Sequence, residues 1–505
     1  MRILTASLAL LLLVVLVHTS CLTPPPQVHD VCREHPDNAR CGVTCATDGE
    51  CGPALHCGDA GKCVAECVVG SADCGTGLRC EVHGRCVAGI PIDLGPPCVG
   101  LQCQQIVCPG GGTTSVSGTV SDPAGSVPLY NVVVYVPNAP VAALSSGASC
   151  DKCGSTLSGS PIATALTDTS GHFKLANVPV GSSIPLVIQV GKWRRQLVVP
   201  TVTACADTPL TDAGATRLPR SQAEGDLPRI ALTTGGADAL ECLLRKIGIA
   251  DSEFTPPTGT GHVHLYAGAG GTDKYAATMN GGASFGGVTS FWGDLAQLKK
   301  YDVVVLSCES SPHAEEKPAA TLQAMFDYAS AGGRIFASHY HNYWFQSGPA
   351  PFPTVAAFTD LADIGDFTAD IDTTFPKGMA LADWLVKVGG STTMGKVAIK
   401  AAQHTINATN NPPAQRWIYS STPMSTQYLS FNTPIGVAAD QQCGRVVLSD
   451  IHVSSGDSSA PAKPYPSGCV TTTLSAQEKV LEFMLFDLSS CVLKDDKPPE
   501  APPIL

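Results

Sequence analysis

Cysteine spacing constrains this chain more than any other feature of its sequence. Of its 22 cysteines, thirteen fall between Cys32 and Cys108, and eight of those form two consecutive copies of one pattern. The repeated cysteines are Cys45, Cys51, Cys57 and Cys63, then Cys67, Cys74, Cys80 and Cys86. A unit of about 20 residues with few large apolar side chains cannot build a core, so cross-links must hold it. The spacings of five and six residues fit poorly with the C-x2–4-C pairs of structural zinc and favour disulfides, with three pairings open per copy.

The repeat pair, residues 45–88, resembles the cysteine-rich modules of secreted eukaryotic proteins such as the Dickkopf N-terminal domain. That resemblance implies a type of module and no particular ligand. Disulfide frameworks persist in oxidising compartments, so the cysteine usage predicts a location outside the cytoplasm.

The N-terminus agrees with that location. Residues 4–17 read LTASLALLLLVVLV, an apolar run shorter than a membrane-spanning helix and preceded by Arg2. The run and the small residues before Cys21 resemble a bacterial lipoprotein signal, although His18 stands where such signals usually carry Leu. The resemblance implies acylation of Cys21 and a lipid-anchored envelope protein, with residues 22–44 as a tether. Plain secretion is the alternative.

A β-sandwich is predicted next. Residues 116–120 and 132–136 alternate like strands, Asp168–Gly171 reads as a tight turn, and Phe173 and Leu175 share one face of the following strand. Over residues 114–203 this pattern resembles the carboxypeptidase regulatory-like domain, a transthyretin-like sandwich without catalytic residues. Flanking segments 89–113 and 204–227 are interpreted as linkers. Cys150 and Cys153 lie in an insertion, where we expect disulfide bonding, with Cys205 as one candidate partner.

Residues 228–491 alternate strands and helices, which predicts a mostly parallel, doubly wound α/β sheet. The predicted strands are 229–233, 302–307, 334–338 and 445–449. The predicted helices are 237–247, 318–330, 379–388 and a last one that opens with the capping box Ser475-x-x-Glu478. The charged, Pro-rich tail from residue 492 is expected to be disordered.

Two motifs in this domain carry a family resemblance. Gly332-Gly333 leads into a strand that ends at His339, and Gly444-Arg445 leads into a late strand followed by His452. The arrangement is similar to the class I glutamine amidotransferase-like superfamily and closest to its trehalose-utilisation (ThuA-like) branch. It implies a flavodoxin-like fold, with His rather than the nucleophilic Cys at the turn after the strand, and hence no thiol-based glutamine hydrolysis. The whole order of modules resembles envelope lipoproteins of the myxobacterial type.

Candidate site residues follow three predicted strands, at the edge where ligands bind in such sheets. As catalytic residues we name His339 and His452, with Glu309 and Asp450 to orient them or hold a metal. As metal ligands we name His339, His341 and His452, for zinc or iron. The opposing interpretation is that these polar groups are hydrogen-bonded in a crowded cleft with no resident cofactor.

Other motifs are given simpler interpretations. His262-x-His264 also places two imidazoles on one strand face, and its distance from His339-x-His341 is left open by the sequence. The zinc-peptidase spacing His313-x-x-Glu316 stands in a loop. Cys308 is expected to be disulfide-bonded, for instance to Cys242, because Glu309 beside it would raise a thiol pKa and oppose a nucleophilic role. The Gly-rich stretches 267–271 and 280–287 lack a phosphate-binding signature.

Charge removes one class of function. The net charge is −12, and nucleic-acid binding requires clustered Lys and Arg. We therefore expect a multidomain envelope or secreted protein that binds a ligand or adheres, with a carbohydrate or a surface protein as partner besides the membrane. The alternative is a carbohydrate-acting or metal-dependent enzyme with its site at His339 and His452.

Overall fold

A computed structural model of the chain describes residues 32, 41–51, 55–65, 67, 74, 78–81, 83–88, 98–453 and 455–504. The chain divides into two compact units, Met1–Pro97 and Cys98–Leu505. The predicted signal, the acylation site Cys21, most of the tether and residues 89–97 of the first linker lie outside the described residues. Within them, no helix has the length and apolar character needed to cross a bilayer.

Disulfides organise the first unit as its spacing predicts. Two short antiparallel hairpins form, one in each copy: β1 (His56–Cys57) with β2 (Cys63–Val64), and β3 (Leu78–Cys80) with β4 (Cys86–Ala88). Both copies join their first cysteine to the third and their second to the fourth. The bonds are Cys45–Cys57, Cys51–Cys63, Cys67–Cys80 and Cys74–Cys86. The structure therefore confirms disulfides rather than a zinc site. It also shows which of the three possible pairings each copy adopts.

The second unit begins with two packed sheets. The strands are β5 (Ser115–Thr119), β6 (Val133–Pro137), β7 (Pro161–Leu166), β8 (His172–Ala176), β9 (Gly181–Val190), β10 (Trp193–Val202) and β11 (Asp207–Leu210). One sheet has the order β10-β9-β6-β7 and the other β11-β5-β8. The predicted turn at Asp168–Gly171 forms, with Gly171 at a φ of 71°, but it connects strands of different sheets. Strand β11 lies inside the segment interpreted as a linker, so that part of the prediction is wrong.

The α/β region is a ten-stranded mixed sheet. Its strands are β12 (Ile230–Thr233), β13 (Val263–Ala267), β14 (Gly286–Gly287), β15 (Val303–Leu306), β16 (Arg334–Ser338), β18 (Gly365–Ile371), β19 (Lys396–Ala402), β21 (Ala414–Ser421), β22 (Met424–Thr433) and β23 (Gly444–Ser449), while β17 (Ala356–Phe358) pairs with β20 (Ile406–Thr409) outside it. The order is β14-β13-β12-β15-β16-β23-β22-β21-β18-β19. The first six strands in this order run parallel to one another. Each of the last four, β22, β21, β18 and β19, is antiparallel to its neighbours.

Helices cover both faces of the parallel part. The helices of the second unit are α1 (Ala213–Thr216), α2 (Leu240–Lys246), α3 (Val288–Trp292), α4 (Leu295–Leu298), α5 (Ala319–Ser330), α6 (Tyr343–Gln346), α7 (Pro376–Lys387) and α8 (Ala476–Ser489). Alternate strand residues enter two different cores: Val303 and Val305 pack with α2 and α8, whereas Val304 and Leu306 pack with α3 and α5. The run of valines is therefore explained by a sheet buried on both sides. The capping box at Ser475 and Glu478 is confirmed.

Long-range disulfides join the sandwich to the α/β region. The insertion cysteines are bonded as expected, but Cys150 pairs with Cys443 and Cys153 with Cys491. Cys205 pairs instead with Cys108, so its suggested pairing with the insertion is wrong. The ten disulfides of the described residues are typical of a protein located in an oxidising, extracytoplasmic compartment.

The C-terminal tail also departs from the sequence prediction, because it makes specific contacts. Asp495 forms an ion pair of 2.6 Å with the buried guanidinium of Arg445. Further along, the carbonyl of Pro502 accepts a hydrogen bond from the Thr164 hydroxyl on β7. A buried arginine needs carboxylate partners, and the tail supplies one of them. Disorder from residue 492 onwards was therefore the wrong expectation.

A buried acid gives the first testable prediction. Glu482 on α8 is fully buried, and burial followed by the charge of the neighbouring Asp122 raises its pKa well above the usual value. Such a group stabilises the fold at low pH, and that contribution is lost as pH rises above about 4.5 towards the folded pKa. The free energy of unfolding of Glu482→Gln, relative to that of wild type, should therefore increase by about 1.4 kcal/mol for each pH unit above about pH 5.

The measurement is urea unfolding of both proteins between pH 5 and pH 8. The matched control is Glu478→Gln on the same helix, because Glu478 is equally buried but is ion-paired with Lys246 at 2.5 Å. That control should lose stability at neutral pH rather than gain it. Parallel pH profiles for Glu482→Gln and wild type would contradict the prediction.

Candidate functional site

Three parallel strands bring the site together at their carboxyl ends. Neighbouring strands β15, β16 and β23 are followed by Cys308, His339 and His452 respectively. The potential metal-ligating atoms of these three side chains all lie within 4.8 Å of one another. The His339 and His452 rings are 5.2 Å apart, inside the roughly 8 Å within which one metal or one substrate engages both.

His339 occupies the sharp turn after β16. Its φ of 45° is in the left-handed region, which non-glycine residues rarely adopt, and such backbone strain concentrates at functional sites. Residues His339–Asn342 form a 3-10 turn, and the Tyr340 ring packs 3.9 Å from the imidazole. The turn therefore presents the imidazole of His339 towards Cys308, whose Sγ lies 3.3 Å from Nδ1.

Burial sets the protonation of this pair. It raises the pKa of the Cys308 thiol to about 12, and the carboxylates of Asp238 and Asp450 act in the same direction. Burial, followed by the neighbouring His452, lowers the pKa of His339 to about 3. At neutral pH the pair is thus a thiol beside a neutral imidazole. A nucleophilic Cys needs the opposite, a thiolate beside an imidazolium. The protonation states of this pair therefore do not favour nucleophilic catalysis by Cys308.

The prediction that Cys308 is disulfide-bonded is wrong. Cys308 is unpaired and fully buried, while Cys242 bonds to Cys469. A buried thiol close to two imidazoles offers one sulfur and two nitrogen ligands to a metal, which displaces the thiol proton on binding. From its sequence context Cys308 is predicted to be a disulfide partner, with a nucleophile as the alternative. Its position directly after a predicted buried strand is the signal for a site role.

His341 does not join the cluster, contrary to the predicted metal set. The strand ends at Ser338, so the alternation of side chains along a strand does not extend to His341. Its Nε2 contacts the carbonyl of Ser307 at 2.9 Å, and its Nδ1 accepts a hydrogen bond of 3.0 Å from Trp344. Both ring nitrogens are occupied, which leaves no lone pair for a metal.

The two predicted catalytic carboxylates are held by other groups. Glu309 accepts a hydrogen bond from the Ala269 amide and lies 3.3 Å from the buried Lys317 ammonium. Asp450 accepts from both the amide and the hydroxyl of Thr405. Both side chains are buried, and burial raises the pKa of each, that of Asp450 to about 6. They are held by the wall of the site and do not belong to the group of three clustered side chains.

Asp238 is a site residue that sequence reasoning missed. It lies in the turn between β12 and α2 and is buried. Burial raises the pKa of its carboxyl group, and the nearby His452 opposes that shift. No regular motif marks it, because a single Asp after Gly235-Gly236 also reads as an ordinary helix-start residue. Only the folded sheet shows that its turn lies beside the ends of the neighbouring strands.

The remaining histidine motifs lie elsewhere. His262 and His264 flank the start of β13, at the opposite end of the parallel strands, where they contact Leu227, Tyr301 and Gly261. His313 contacts Glu315 and the Glu309 carbonyl within a loop. None of these residues belongs to a described group of three potential ligands.

No protein-family model and no curated protein matches the chain. Among solved structures, a ThuA-like protein from Bacteroides uniformis aligns with 51% of this chain and 90% of its own, at 12% identity and a TM-score of 0.26. A cohesin–X-dockerin complex from Acetivibrio cellulolyticus aligns with 28% of this chain and 75% of its own, at 17% identity and a TM-score of 0.14. Scores this low do not establish a shared fold.

Proposed function

We propose that this protein is an extracytoplasmic metalloprotein, with zinc or a similar transition metal held by Cys308, His339 and His452 at the end of the α/β sheet. The observation that carries the proposal is the convergence of one sulfur and two imidazole ligands within 4.8 Å. A tetrahedral zinc ion with bonds of about 2.0–2.3 Å separates its ligands by about 3.3–3.8 Å, so small side-chain movements are sufficient. Sulfur and nitrogen ligands select zinc or iron over calcium or magnesium.

The electrostatics of the surrounding residues support a cation. Asp238 and Asp450 are buried, and neither forms an ion pair within 4 Å among the described residues. A bound dication would compensate these carboxylates and the Cys308 thiolate together. In addition, the Nε2 atom of His452 is buried without a hydrogen-bond partner, although buried polar atoms are normally satisfied.

A three-ligand site is of the catalytic type, because its fourth position is open to water or substrate. When bound, such a metal activates water and polarises carbonyl or phosphoryl groups. The chain's own residues would hold the ion, exclude bulk water through burial, and place the ring of Tyr340 beside it. We therefore propose a metal-dependent hydrolase, with glycosides and peptides as the first substrates to screen.

A second candidate function has an observation in its favour. Glu309 and Asp450 are engaged in structural hydrogen bonds, so neither of these two predicted carboxylates is free to serve as general base. A metal site without such a base suits binding of a carbohydrate or protein ligand in a surface protein. Anchoring through an acylated Cys21 belongs with either candidate and remains a proposal.

Metal content tests the proposal. We expect the full chain, expressed into an oxidising compartment and purified without chelator or polyhistidine tag, to hold close to one zinc per chain. Cys308→Ser, His339→Ala and His452→Ala should each lose it, because two protein ligands bind zinc far more weakly than three. The measurement is elemental analysis, followed by cobalt substitution to detect thiolate coordination in the absorption spectrum.

His313→Ala is the matched control, because it removes a histidine near Glu309 from the rival His-x-x-Glu motif and should keep the zinc. Wild type without metal, or zinc retained in all three ligand variants, would end the metalloprotein proposal. Zinc-loaded wild type that hydrolyses no glycoside, ester or peptide would favour the ligand-binding candidate.

A further inference from the structure

The turn between β12 and α2 contacts all three segments that carry the proposed ligands. The Ala237 amide donates to the carbonyl of Cys308 itself, at 3.1 Å. The next residue, Asp238, accepts a hydrogen bond of 2.6 Å from the hydroxyl of Ser338, which immediately precedes His339. Its other carboxylate oxygen accepts one of 2.9 Å from the amide of Val453, which immediately follows His452.

These contacts are enclosed and have little freedom. Asp238 is 3% exposed and Ser338 is fully buried. A Cβ atom added at Gly235 would meet the Cys308 carbonyl oxygen at 2.2 Å and the Ser307 carbonyl oxygen at 2.6 Å. The turn therefore lies directly against the end of β15, and glycine is what allows its backbone to approach so closely.

We propose that Asp238 is the positioning residue of the Cys308–His339–His452 cluster, setting the distance between the two histidines through Ser338 and Val453. The inference rests on the proposed metal site, whose geometry it explains. One carboxylate thereby links the ends of two neighbouring parallel strands, β16 and β23, through one hydrogen bond to each. His339 also needs support, because its left-handed backbone conformation persists only where the surroundings fix it.

The assignment is to positioning and not to coordination. Asp238 is not in the group whose ligand atoms lie within 4.8 Å of one another, and its two oxygens accept hydrogen bonds from Ser338 and Val453. Outer residues that orient metal ligands typically change metal affinity by about 10–100-fold when they are removed. Asp238→Ala should therefore weaken zinc binding by about 10–100-fold.

Asp238→Asn separates geometry from charge. The amide oxygen can still accept from Val453, and the amide NH2 can donate to the Ser338 hydroxyl, so most of the zinc affinity should return. Ser338→Ala removes only one of the two links and should give an intermediate loss. The cobalt-substituted absorption spectrum should shift in Asp238→Ala and resemble wild type in Asp238→Asn.

The experiment is competitive zinc titration and cobalt spectroscopy on the full-chain variants. Asp122→Ala is the matched control, because Asp122 is equally buried and accepts hydrogen bonds from Ser126 and Val127 within the sandwich. It should destabilise the fold without changing the cobalt spectrum. Wild-type affinity and spectrum in Asp238→Ala would overturn the proposal, as would an equal loss in Asp122→Ala.

A second readout needs no metal and separates this inference from the proposed function. In apo protein, we expect Asp238→Ala to raise the alkylation rate of Cys308 at least tenfold over Asp122→Ala, with the labelled peptide identified by mass spectrometry. If wild type binds no zinc or cobalt, the metalloprotein proposal fails and this rate alone decides the role of Asp238. An unchanged rate would then overturn it.

Discussion

Removing the two disulfides of the Cys150–Cys153 insertion should cost more stability than any other change considered for this chain. Cys150–Cys443 and Cys153–Cys491 span 293 and 338 residues of sequence. While one bond is intact, the other closes a loop of only about 50 residues, worth about 4 kcal/mol. Loss of the last bond opens a much longer loop, even with Cys242–Cys469 in place, and adds about 5 kcal/mol.

We therefore expect Cys150→Ser/Cys443→Ser and Cys153→Ser/Cys491→Ser each to lose about 4 kcal/mol and the quadruple variant about 9 kcal/mol. The measurement is the free energy of urea unfolding, with the remaining disulfides verified by mass spectrometry. Because whole domains are stable by only about 5–15 kcal/mol, the quadruple variant should be largely unfolded at 37 °C.

Cys98→Ser/Cys103→Ser is the matched control, because this disulfide spans only five residues. Its loss should cost about 2 kcal/mol by the same loop-closure argument. Equal losses for the short-range and long-range pairs would show that these bonds do not act through loop closure. If the two bonds closed independent loops, each single-pair variant would lose about 5 kcal/mol rather than about 4 kcal/mol.

These disulfides also show how far sequence reasoning reaches. Spacing and the lack of large apolar residues predicted cross-links in the repeats, and the loop-like Ser, Gly and Lys around Cys150 and Cys153 predicted disulfide bonding in the insertion. These signals could not identify Cys443 and Cys491 as partners, because pairing over some 300 residues depends on how two modules pack. The same packing brings β11 into the sandwich and Asp495 onto Arg445, two features that appeared as linker and tail in the sequence.

The candidate site was predictable in part for a similar reason. Strand ends can be read from apolar runs, and His339 and His452 follow two of them. The order of the strands in the sheet cannot be read that way, yet it decides that β15 lies beside β16 and brings Cys308 to the same point. His341 failed as a ligand because a 3-10 turn replaces the strand at His339, a local change that period-two reasoning does not detect.

Lys317 provides the second large effect, beside the site. Its ammonium is 3.3 Å from Glu309 and 4.6 Å from the centre of the Trp292 ring, and the side chains of both ion-pair partners are 1% exposed. Burial lowers the pKa of Lys317 and raises that of Glu309, while their mutual attraction opposes both shifts. Lys317→Met removes that attraction and leaves a buried carboxylate without its cationic partner, which should cost about 3–5 kcal/mol at neutral pH.

The loss should shrink as pH falls, because Glu309 in the variant can take up a proton and become neutral, and a raised pKa stabilises the fold only on its acidic side. Lys317→Met/Glu309→Gln should recover to within about 1 kcal/mol of wild type, since neutral side chains of similar shape replace a buried ion pair well. Urea unfolding between pH 5 and pH 8 measures both effects. Lys400→Met is the surface control: Lys400 pairs with Asp366 at 2.6 Å, but the side chains are 67% and 59% exposed.

That surface pair should contribute less than about 1 kcal/mol. A Lys317→Met variant as mild as Lys400→Met would mean that water reaches Glu309 and that the wall of the site is open. A severe loss that the double variant repairs would instead place Glu309 as a structural partner of Lys317. In that case Glu309 fixes the position of the segment that carries Cys308, and the general base of any hydrolysis must come from another group.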